Sequence, residues 1–384
     1  MNKNYLLSIV IPTRNHITCL EKSIPEIEAN IDNSVQIVIQ DNSDNNDFEK
    51  SNLLDQYNNI KYSYTNEVLS FVDNFDAAVS LADGEYLCMI GDDDGVTKRI
   101  VEATKWAAKN NLDSLVPEVL FEYFWPNSID FPGEKYNNGI IRYLNKKSAV
   151  KMLDTSNGLK KMLHNGAQDY MMFDLVKLYH GIVKKSCLNE VKKRTGKYFG
   201  GLSPDIYIST ALSIVCKKNY KISYPLTIAG VATGSGSANS SNGLHIGKLK
   251  DAPHFKGHTS YQWNKRVPQF YSVETIWADS ALAALTDMKM YDLLNEFNKN
   301  ALLSNCWIKH PEFNDYIEND DDKEKMSLGI RFSEVKYYAL HVKHRLSRLG
   351  DKLYIVNDVP SILSANEYFE NNYSNSNFVL PSNI

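Results

Sequence analysis

The sequence Glu85-Tyr-Leu-Cys-Met-Ile-Gly-Asp-Asp-Asp-Gly95 joins an apolar run to three consecutive carboxylates. Residues 86–90 are large and apolar without alternation, which is typical of a strand buried on both faces of a parallel sheet. Asp92, Asp93 and Asp94 then stand at the carboxyl end of that strand. In open α/β sheets ligands bind outside the carboxyl ends of the strands. The stretch therefore predicts an α/β fold with a ligand site beside the three acids.

Three carboxylates this close repel one another unless a cation or hydrogen-bond donors compensate. A hard divalent cation, Mg²⁺ or Mn²⁺, shared with a substrate diphosphate would supply that compensation. The alternative is an acidic turn that ends in Gly95 and faces water, because such turns are common. The rest of the N-terminal half decides between the two interpretations.

The overall composition excludes several classes of protein. The 384 residues suggest two domains, or one enlarged domain with an appendage, and the net charge of −4 gives no argument for nucleic-acid binding. No stretch has the roughly 18 apolar residues that a membrane helix needs, and the apolar start ends at Pro12 without a signal-peptide cleavage site. The cysteines are odd in number, widely spaced and without a C-x-x-C pair: Cys19, Cys88, Cys187, Cys216 and Cys306. This usage predicts a cytoplasmic protein without disulfides or a zinc site.

The first hundred residues alternate between strand and helix patterns. Strands are predicted over 5–11, 35–40, 60–64 and 86–90, and helices over 16–31, 53–57 and 70–81. The order β-α-β-α-β-α-β predicts a parallel sheet with helices on both faces. Polar residues follow three of the four strands: Thr13 and Arg14, then Asp41, then the three acids. Because these strand ends meet at one crevice, the water-facing interpretation of the acids becomes the weaker one.

The same segments resemble the family 2 glycosyltransferases of GT-A fold, which use a nucleotide-diphospho-sugar. The matching residues are Ser8-Ile-Val-Ile-Pro-Thr-Arg-Asn15, Ile37-Val-Ile-Gln-Asp-Asn-Ser-Asp44, the helix from Asn74 with Ala82-Asp-Gly-Glu-Tyr-Leu87, and Gly91-Asp-Asp-Asp94. They cover about the first hundred residues in the family's order. The resemblance implies a Rossmann-like, mostly parallel sheet with helices on both faces, followed here by a helical C-terminal region.

The resemblance also implies roles for these residues. Pro12, Thr13 and Arg14 would line the nucleotide pocket, and Asp41 would receive the base, for which uracil is expected. The three acids would form the family's D-x-D element, which touches ribose and metal. The family often has Asp where this chain has Gly91, so the register is open: Asp92 and Asp94 are the first choice as metal ligands, and Asp93 follows.

A second acid, Asp205, lies about 110 positions downstream, where Ser203-Pro204-Asp205 begins a predicted helix over 206–216. An acid in the first turn of a helix is explained by the helix dipole alone. In the resembled family, however, an acid at a helix start before the final core strand, here predicted over 222–229, is the catalytic base. Asp205 is therefore the expected base, with Asp169 and Asp174 as weaker candidates.

The remainder of the chain divides at a change of composition. Residues 231–260 are rich in Gly, Ser and Asn and predict a lid loop between a nucleotide-sugar-binding catalytic domain, 1–230, and a helical region, 261–384. His245 in this loop is a candidate third metal ligand by resemblance, although a solvent-exposed linker histidine is the favoured interpretation. A further strand is predicted over 113–124, and helices are predicted over 148–163, 273–288, 291–306 and 334–353. The last has basic residues beside an apolar stripe, so it either rests on an anionic membrane surface or covers the core or a partner subunit, which we favour.

These expectations lead to an inverting, metal-dependent glycosyltransferase. It would move a sugar from a UDP-sugar to a hydroxyl of a glycan or a lipid-linked glycan. We expect it in the cytoplasm, with contact to the inner face of the membrane and a homo-oligomer as open alternatives. Two other functions compete with it. A nucleotidyltransferase would need a Gly-rich phosphate loop, whereas only Arg14 follows the first strand; a sugar-nucleotide-binding module without catalysis would not need Asp205.

Overall fold

The computed structural model describes residues 4–118, 121–128, 130–131, 134–135, 138–145, 149–234, 246–252, 255, 261–318, 335, 338–339, 342, 352–373 and 379–382. The strands in chain order are β1 Leu7–Thr13, β2 Val35–Asp41, β3 Ile60–Tyr64, β4 Tyr86–Met89, β5 Gly95–Val96, β6 Ser114–Pro117, β7 Phe121–Phe124, β8 Asp130–Phe131, β9 Glu134–Lys135, β10 Ile140–Asn145, β11 Val150–Met152, β12 Ile182–Lys184, β13 Asn219–Ile222, β14 Thr227–Val231, β15 Gly247–Lys248, β16 Phe270–Tyr271 and β17 Lys352–Asn357. The helices are α1 Ile17–Glu28, α2 Leu53–Gln56, α3 Phe71–Leu81, α4 Arg99–Lys109, α5 Thr155–His164, α6 Lys185–Thr195, α7 Pro204–Val215, α8 Val273–Asp287, α9 Tyr291–Asn295, α10 Lys299–Lys309, α11 Asn314–Glu318 and α12 Ile362–Asn372.

The main sheet has eight strands in the order β11-β13-β6-β12-β4-β1-β2-β3. Strands β3, β2, β1 and β4 are parallel, as the alternation of strands and helices predicts. Strand β12 is antiparallel to both of its neighbours, β4 and β6, and β13 runs parallel to β6. The predicted α/β fold with a mostly parallel sheet is confirmed, since four of the seven described pairs are parallel.

Both faces of this sheet are covered by helices. Alternate residues of β1 point to opposite sides: Ile9 packs in the core formed with α1 and α4, and Val10 packs in the core formed with α3, α6 and α7. All seven residues of β1, all seven of β2 and all four of β4 are buried. Continuous apolar runs without alternation are the sequence form of strands enclosed in this way.

A second sheet, in the order β17-β10-β7-β14-β5, corrects two predicted strands. The segment 113–124 is not one strand, because β6 ends at Pro117 in the main sheet and β7 lies in the second. The segment 222–229 is also divided, between β13 and β14, around Pro225. Proline has no backbone donor for a sheet ladder, so both changes of sheet occur where a ladder is already interrupted.

Three predicted helices also differ from the observed ones. The predicted helix over 148–163 begins as strand β11, and α5 starts only after the N-cap Asp154. The predicted helix over 291–306 is two helices, because Asn298 caps a new helix by accepting a hydrogen bond from the backbone N–H of Ala301. Most of the predicted helix over 334–353 lies outside the described residues, and its end is strand β17.

The C-terminal region is helical, and its last part returns to the start of the chain. Helices α8 to α11 pack with α5 and the start of α7 around a core that contains Leu282 and Leu302. In contrast, β17 pairs with β10, and α12 packs against α1. Among the described residues, no helix combines the length and the apolar character needed to span a bilayer. The division at 230 and 260 stays a prediction.

Candidate active site

The carboxyl ends of β1, β2 and β4 meet at one edge of the main sheet. Thr13, the last residue of β1, stands opposite Asp41, the last residue of β2. The Oγ1 hydroxyl of Thr13 also donates to Asp92 Oδ2 at 2.5 Å. Pro12 is buried beside Thr13 in the same strand. The structure thus brings together the residues that follow three separate strands, and the hydroxyl expected to line the nucleotide pocket holds one of the acids.

We call residues 91–95 the acid turn. Its most enclosed carboxylate is Asp94, which is 2% exposed. Asp94 Oδ1 accepts from the backbone N–H of Gly230 at 2.6 Å. Asp94 Oδ2 accepts from the N–H of Gly91 at 2.6 Å and from the hydroxyl of Tyr179 at 3.1 Å. Three protein donors therefore hold the Asp94 carboxylate in place, which favours a role in fixing the turn.

Asp93 is held by Ala232, which directly follows β14, and by Trp125. Its Oδ2 accepts from the N–H of Ala232 at 2.9 Å, and its backbone oxygen accepts from the indole N–H of Trp125 at 2.9 Å. Burial, together with the charges of Asp94 and then Asp92, raises the pKa of Asp93 well above its usual value. The crowding of the three carboxylates thus adds to the effect of burial on Asp93.

Asp92 is the most accessible of the three acids, 8% exposed against 6% for Asp93 and 2% for Asp94. Besides Thr13, it contacts His16, whose Nδ1 lies 3.1 Å from Asp92 Oδ1. The hydrogen bond to Asp92 raises the pKa of His16, although burial acts in the opposite direction. His16 is thus a hydrogen-bonding partner of Asp92 that the sequence interpretation missed.

Position 91 has little space for a side chain. A Cβ atom there would lie 2.8 Å from the hydroxyl of Tyr179 and 3.0 Å from Asp93 Oδ1. An aspartate at this position, where the resembled family often has one, would therefore displace the ends of these two side chains. Glycine therefore allows Tyr179 to approach Asp94, and the acids of this chain begin one residue later.

The predicted base-reading residue Asp41 is 2% exposed, and both of its carboxylate oxygens accept hydrogen bonds. Ser43 donates its backbone N–H to Oδ1 at 2.8 Å, and Tyr62 donates its hydroxyl to Oδ2 at 3.0 Å. Arg14 lies nearer the surface, where its guanidinium forms an ion pair with Asp44 at 3.0 Å. Asp41 and Arg14 thus lie beside Thr13, as predicted, with their side chains already engaged by protein groups.

Asp205 is in the first turn of α7, behind Ser203 at the N-cap and Pro204. The start of this helix is fixed to α8, because Ser280 Oγ accepts from the backbone N–H groups of Leu202 and Ser203 at 3.0 and 2.9 Å. Burial and the charge of Asp94 raise the pKa of Asp205 to about 6. No hydrogen bond or ion pair to its carboxylate is found within the described part of the chain. A carboxylate of this pKa, free of protein donors and close enough to feel Asp94, suits proton transfer near neutral pH.

The two weaker candidates for the base have structural partners. Asp174 forms an ion pair with Lys221 at 2.8 Å. Asp169 has left-handed backbone geometry and accepts from Asn165 Nδ2 at 3.3 Å. Tyr179 connects Asp94 with Asp205. Its hydroxyl donates to Asp94. Burial raises the pKa of Tyr179, and the charges of several acids, including Asp94 and Asp205, raise it further.

The donor set of the acid turn fits a hard divalent cation. Asp92, Asp93 and Asp94 offer only oxygen ligands, and across the described ranges no lysine or arginine pairs with them. Three Asp, Glu, His or Cys side chains do not converge at metal-binding geometry anywhere in the described residues. A cation would therefore take its remaining ligands from substrate oxygens or water. His245 lies outside the described residues.

Several residues of the site could not be found from local sequence signals. Some donors reach the acid turn only through the tertiary fold: Trp125, Tyr179, Gly230 of β14, and Ala232, which directly follows β14. His180 has left-handed geometry and lies 3.7 Å from Asp94 Oδ2. His16 is different, because its position directly after Thr13-Arg14-Asn15 places it at the same strand end.

Comparisons with known proteins agree with this geometry. Residues 8–158 match the family model described as glycosyl transferase family 2. A curated relative, an uncharacterized glycosyltransferase of Mycoplasma genitalium named MG060, is 31% identical over 126 residues, which are 31% of this chain and 41% of the relative. The match therefore spans less than half of that relative's length.

Two solved structures are similar over most of their length. TarS 1-349 of S. aureus, in complex with UDP-GlcNAc, is 13% identical with a TM-score of 0.41, and the match covers 87% of this chain and 91% of that one. The mannosyltransferase PcManGT from Pyrobaculum calidifontis, in complex with GDP-Man and Mn²⁺, is 12% identical with a TM-score of 0.37, over 87% and 88% of the two chains. The family match and the curated relative show the same similarity: residues 8–158, which carry the acid turn, resemble glycosyl transferase family 2.

Proposed function

We propose that this chain is an inverting glycosyltransferase that moves a sugar from a nucleotide-diphospho-sugar to an acceptor hydroxyl, with Asp205 as the general base. The observation that carries this proposal is the carboxylate of Asp205. It has a pKa of about 6 and no protein partner within the described residues, and it feels the charge of the acid turn in a family 2 domain. The resemblance assigns the base to an acid at this place.

In the proposed reaction, Asp205 removes the proton from the acceptor hydroxyl as its oxygen attacks the anomeric carbon. The attack comes from the face opposite the diphosphate, so the new bond has inverted configuration. The bond between the anomeric carbon and the diphosphate oxygen breaks, and its electron pair leaves with the nucleotide. Asp205 keeps the proton until solvent removes it.

The diphosphate cannot be stabilised by three carboxylates alone, so we propose that the acid turn holds Mn²⁺ or Mg²⁺. Asp92 is the leading ligand because its side chain is the more exposed, and Asp93 is next, because its raised pKa favours a cation beside it. Such an ion would neutralise the charge on the departing diphosphate. Thr13 and His16 fix the orientation of Asp92 by their hydrogen bonds.

For the donor we propose a UDP-sugar, on the resemblance and on the place of Asp41 at the end of β2. A second acceptor position on either oxygen of Asp41 would take the N–H of a pyrimidine, beside the bonds from Tyr62 and Ser43. For the acceptor we propose a hydroxyl of a glycan or a lipid-linked glycan, handled in the cytoplasm. Thermal shift with UDP, ADP and GDP tests the base, and an equal response to all three would contradict the uridine assignment.

The experiment that tests the function compares wild type with Asp205→Asn. The protein is incubated with a panel of nucleotide-sugars and Mn²⁺, and nucleotide release is followed with and without glycan acceptors. We expect Asp205→Asn to keep donor affinity and lower transfer by about 10²-fold or more. Asp174→Asn is the matched control and should retain transfer. Loss of donor affinity with preserved turnover in Asp205→Asn would make Asp205 a ligand or a helix cap and overturn the assignment.

A further inference from the structure

The proposed chemistry leaves one buried acid unexplained. Glu26 of α1 is fully buried and lies behind the acid turn. Its Oε2 accepts from the backbone N–H of Val96 at 3.1 Å, and its Oε1 accepts from the side-chain amides of Asn366 at 2.8 Å and Asn30 at 3.1 Å. Over the described ranges no basic residue forms an ion pair with it. An acid buried without a cation is costly, so its three donors must hold it in place.

The contact of Glu26 is with the backbone that leaves the acid turn. Val96 stands two residues after Asp94, and the intervening Gly95 lies directly against the carboxylate. A Cβ at Gly95 would be 2.4 Å from Glu26 Oε2 and 3.1 Å from the Cδ1 of Ile362 in α12. The carboxylate of Glu26 therefore fills the space that a side chain at position 95 would need, and it fixes the exit of the turn.

Asn366 supplies the other half of this contact from the far end of the chain. Its amide N–H₂ group donates to Glu26 Oε1 and also to the backbone oxygen of Val96 at 3.0 Å. Both hydrogens of one amide are thus directed at the same point behind the acid turn. The residue is 2% exposed, so the two hydrogen bonds are shielded from water.

Helix α12, which carries Asn366, is anchored independently of these bonds. Phe369 is fully buried, and its ring stacks on that of Phe121 in β7, with the centroids 4.3 Å apart. Tyr373 stacks on Phe369 at 4.5 Å. The helix therefore has a fixed position in the second sheet's core, from which Asn366 can hold a less rigid element.

We propose that Asn366 and Glu26 form a brace that positions the acid turn for donor binding. The C-terminal helix is then a positioning element of a donor site whose ligand residues lie 270 positions earlier. The identity of the ligand rests on the proposed function. The brace itself rests only on the hydrogen bonds and contacts described above. The family match covers residues 8–158, which include Glu26 and Val96 but not Asn366, so one half of the brace lies outside the matched segment.

The test compares two substitutions in the same helix. Asn366→Leu removes both hydrogen bonds and keeps the number and branching of the side-chain heavy atoms, whereas Phe369→Leu loosens the anchored side of α12 without touching the brace. We expect Asn366→Leu to weaken Mn²⁺-supported UDP binding by about 10-fold or more and to speed deuterium exchange of a peptide covering 91–97. Phe369→Leu should lower the melting temperature at least as much and leave both readouts near wild type. Equal effects of the two variants on binding and exchange would make Asn366 a merely structural residue.

A rescue experiment examines the pair directly. Glu26→Gln alone places its amide N–H₂ against the donor groups of Asn30 and Asn366. Asn366→Asp alone places its carboxylate beside the carboxylate of Glu26. The double variant exchanges amide and carboxylate, so Gln at 26 can donate to Asp at 366. Asp at 366 loses the bond to the backbone oxygen of Val96 in both the single and the double variant, so the matched comparison is with Asn366→Asp. We expect the double variant to exchange more slowly over 91–97 than Asn366→Asp. A double variant that exchanges as fast as Asn366→Asp would overturn the brace.

The two proposals fail in different ways. If wild type binds no nucleotide or nucleotide-sugar with Mn²⁺, the proposed function is wrong, and the exchange of residues 91–97 still decides whether Asn366 holds the turn. If wild type binds and Asn366→Leu changes neither binding nor exchange, the brace is wrong and the function stands.

Discussion

Within the acid turn, three adjacent aspartates have different surroundings, so the same substitution should have different effects. Asp94 is fixed by two backbone N–H groups and a tyrosine hydroxyl, whereas Asp92 is the accessible one, held by the side chains of Thr13 and His16. The most exposed acid, Asp92, and the acid that holds the turn, Asp94, are therefore different residues. Sequence alone could not separate them, because the donors to Asp94 come from Gly91, Tyr179 and Gly230.

We expect Asp92→Asn to abolish metal-supported nucleotide binding with little loss of stability. Asp94→Asn should in addition lower the free energy of unfolding by about 1–3 kcal/mol, because its new N–H₂ group must face the N–H of Gly91 or Gly230. Calorimetric titration with and without EDTA measures the binding, and urea unfolding measures the stability. An Asp94→Asn protein as stable as wild type would show that the turn does not depend on these bonds.

The pH dependence of transfer follows from Asp205. Because burial and Asp94 raise its pKa to about 6, the carboxyl group carries a proton below that pH and cannot accept one from the acceptor. We expect kcat to fall about tenfold per pH unit below about 6 and to be level above it. Initial rates at saturating donor measure the profile. A rate independent of pH across this range would remove Asp205 from the proton-transfer step.

Among the elements, the predictable ones are those whose burial leaves a clear hydrophobic pattern in the sequence. Strands β1, β2 and β4 are continuous apolar runs and were predictable, as was α3 with its stripe and its N-cap Ser70. The divisions between β6 and β7 and between β13 and β14 were not. A strand pattern reports burial and does not report which of two sheets a strand joins, so the second sheet and its contact with Asp93 stayed hidden.

The helical region contains a buried ionic contact that makes an element-level prediction. Glu274 of α8 accepts from Lys309 Nζ at the end of α10 at 2.8 Å and lies 2.7 Å from His310 Nε2. Burial alone would raise the pKa of Glu274, but the hydrogen bond from His310 and the charge of Lys309 lower it to about 2. A pKa below the ordinary 4.5 means that this stabilisation is present above pH 4.5 and is lost as pH falls toward 2.

We expect the pair of helices to lose about 3 kcal/mol over that acid range, since one pKa unit corresponds to about 1.4 kcal/mol. Glu274→Gln should lower stability at neutral pH and flatten the acid limb. Urea unfolding of both proteins at a series of pH values is the measurement. Parallel curves for the two proteins would show that the contact contributes no pH-dependent stability.

In the whole molecule, the segment matched by the family model is not a closed structural unit. Its β7 and β10 belong to a sheet completed by β14 and by β17 from the far end of the chain. Tyr143 of β10 is covered by Tyr354 of β17, with parallel rings 5.0 Å apart, and by Phe369 of α12. Long-range packing of this kind leaves no local sequence pattern. The domain division predicted from composition therefore places β17 and α12 in a region separate from β7 and β10.

We therefore expect a chain truncated after residue 318 to lose its cooperative unfolding transition and to bind an apolar dye. Removing β17 and α12 would expose the faces of Phe121, Ile141 and Tyr143, which are at most 2% exposed. Near-ultraviolet circular dichroism and dye fluorescence measure the effect, with the full chain carrying Phe369→Leu as the milder control. A truncated protein with a sharp transition and wild-type nucleotide binding would contradict this prediction.

The return of α12 to α1 also sets the order in which the protein can acquire its structure. The amide of Asn366 is synthesised 270 residues after Val96, and at about 5–20 residues per second this separation corresponds to roughly 14 to 54 s on the ribosome. During that interval the acid turn lacks the proposed brace. We therefore expect a nascent chain to bind the proposed sugar-nucleotide donor poorly, because the edge that is encoded first is completed last.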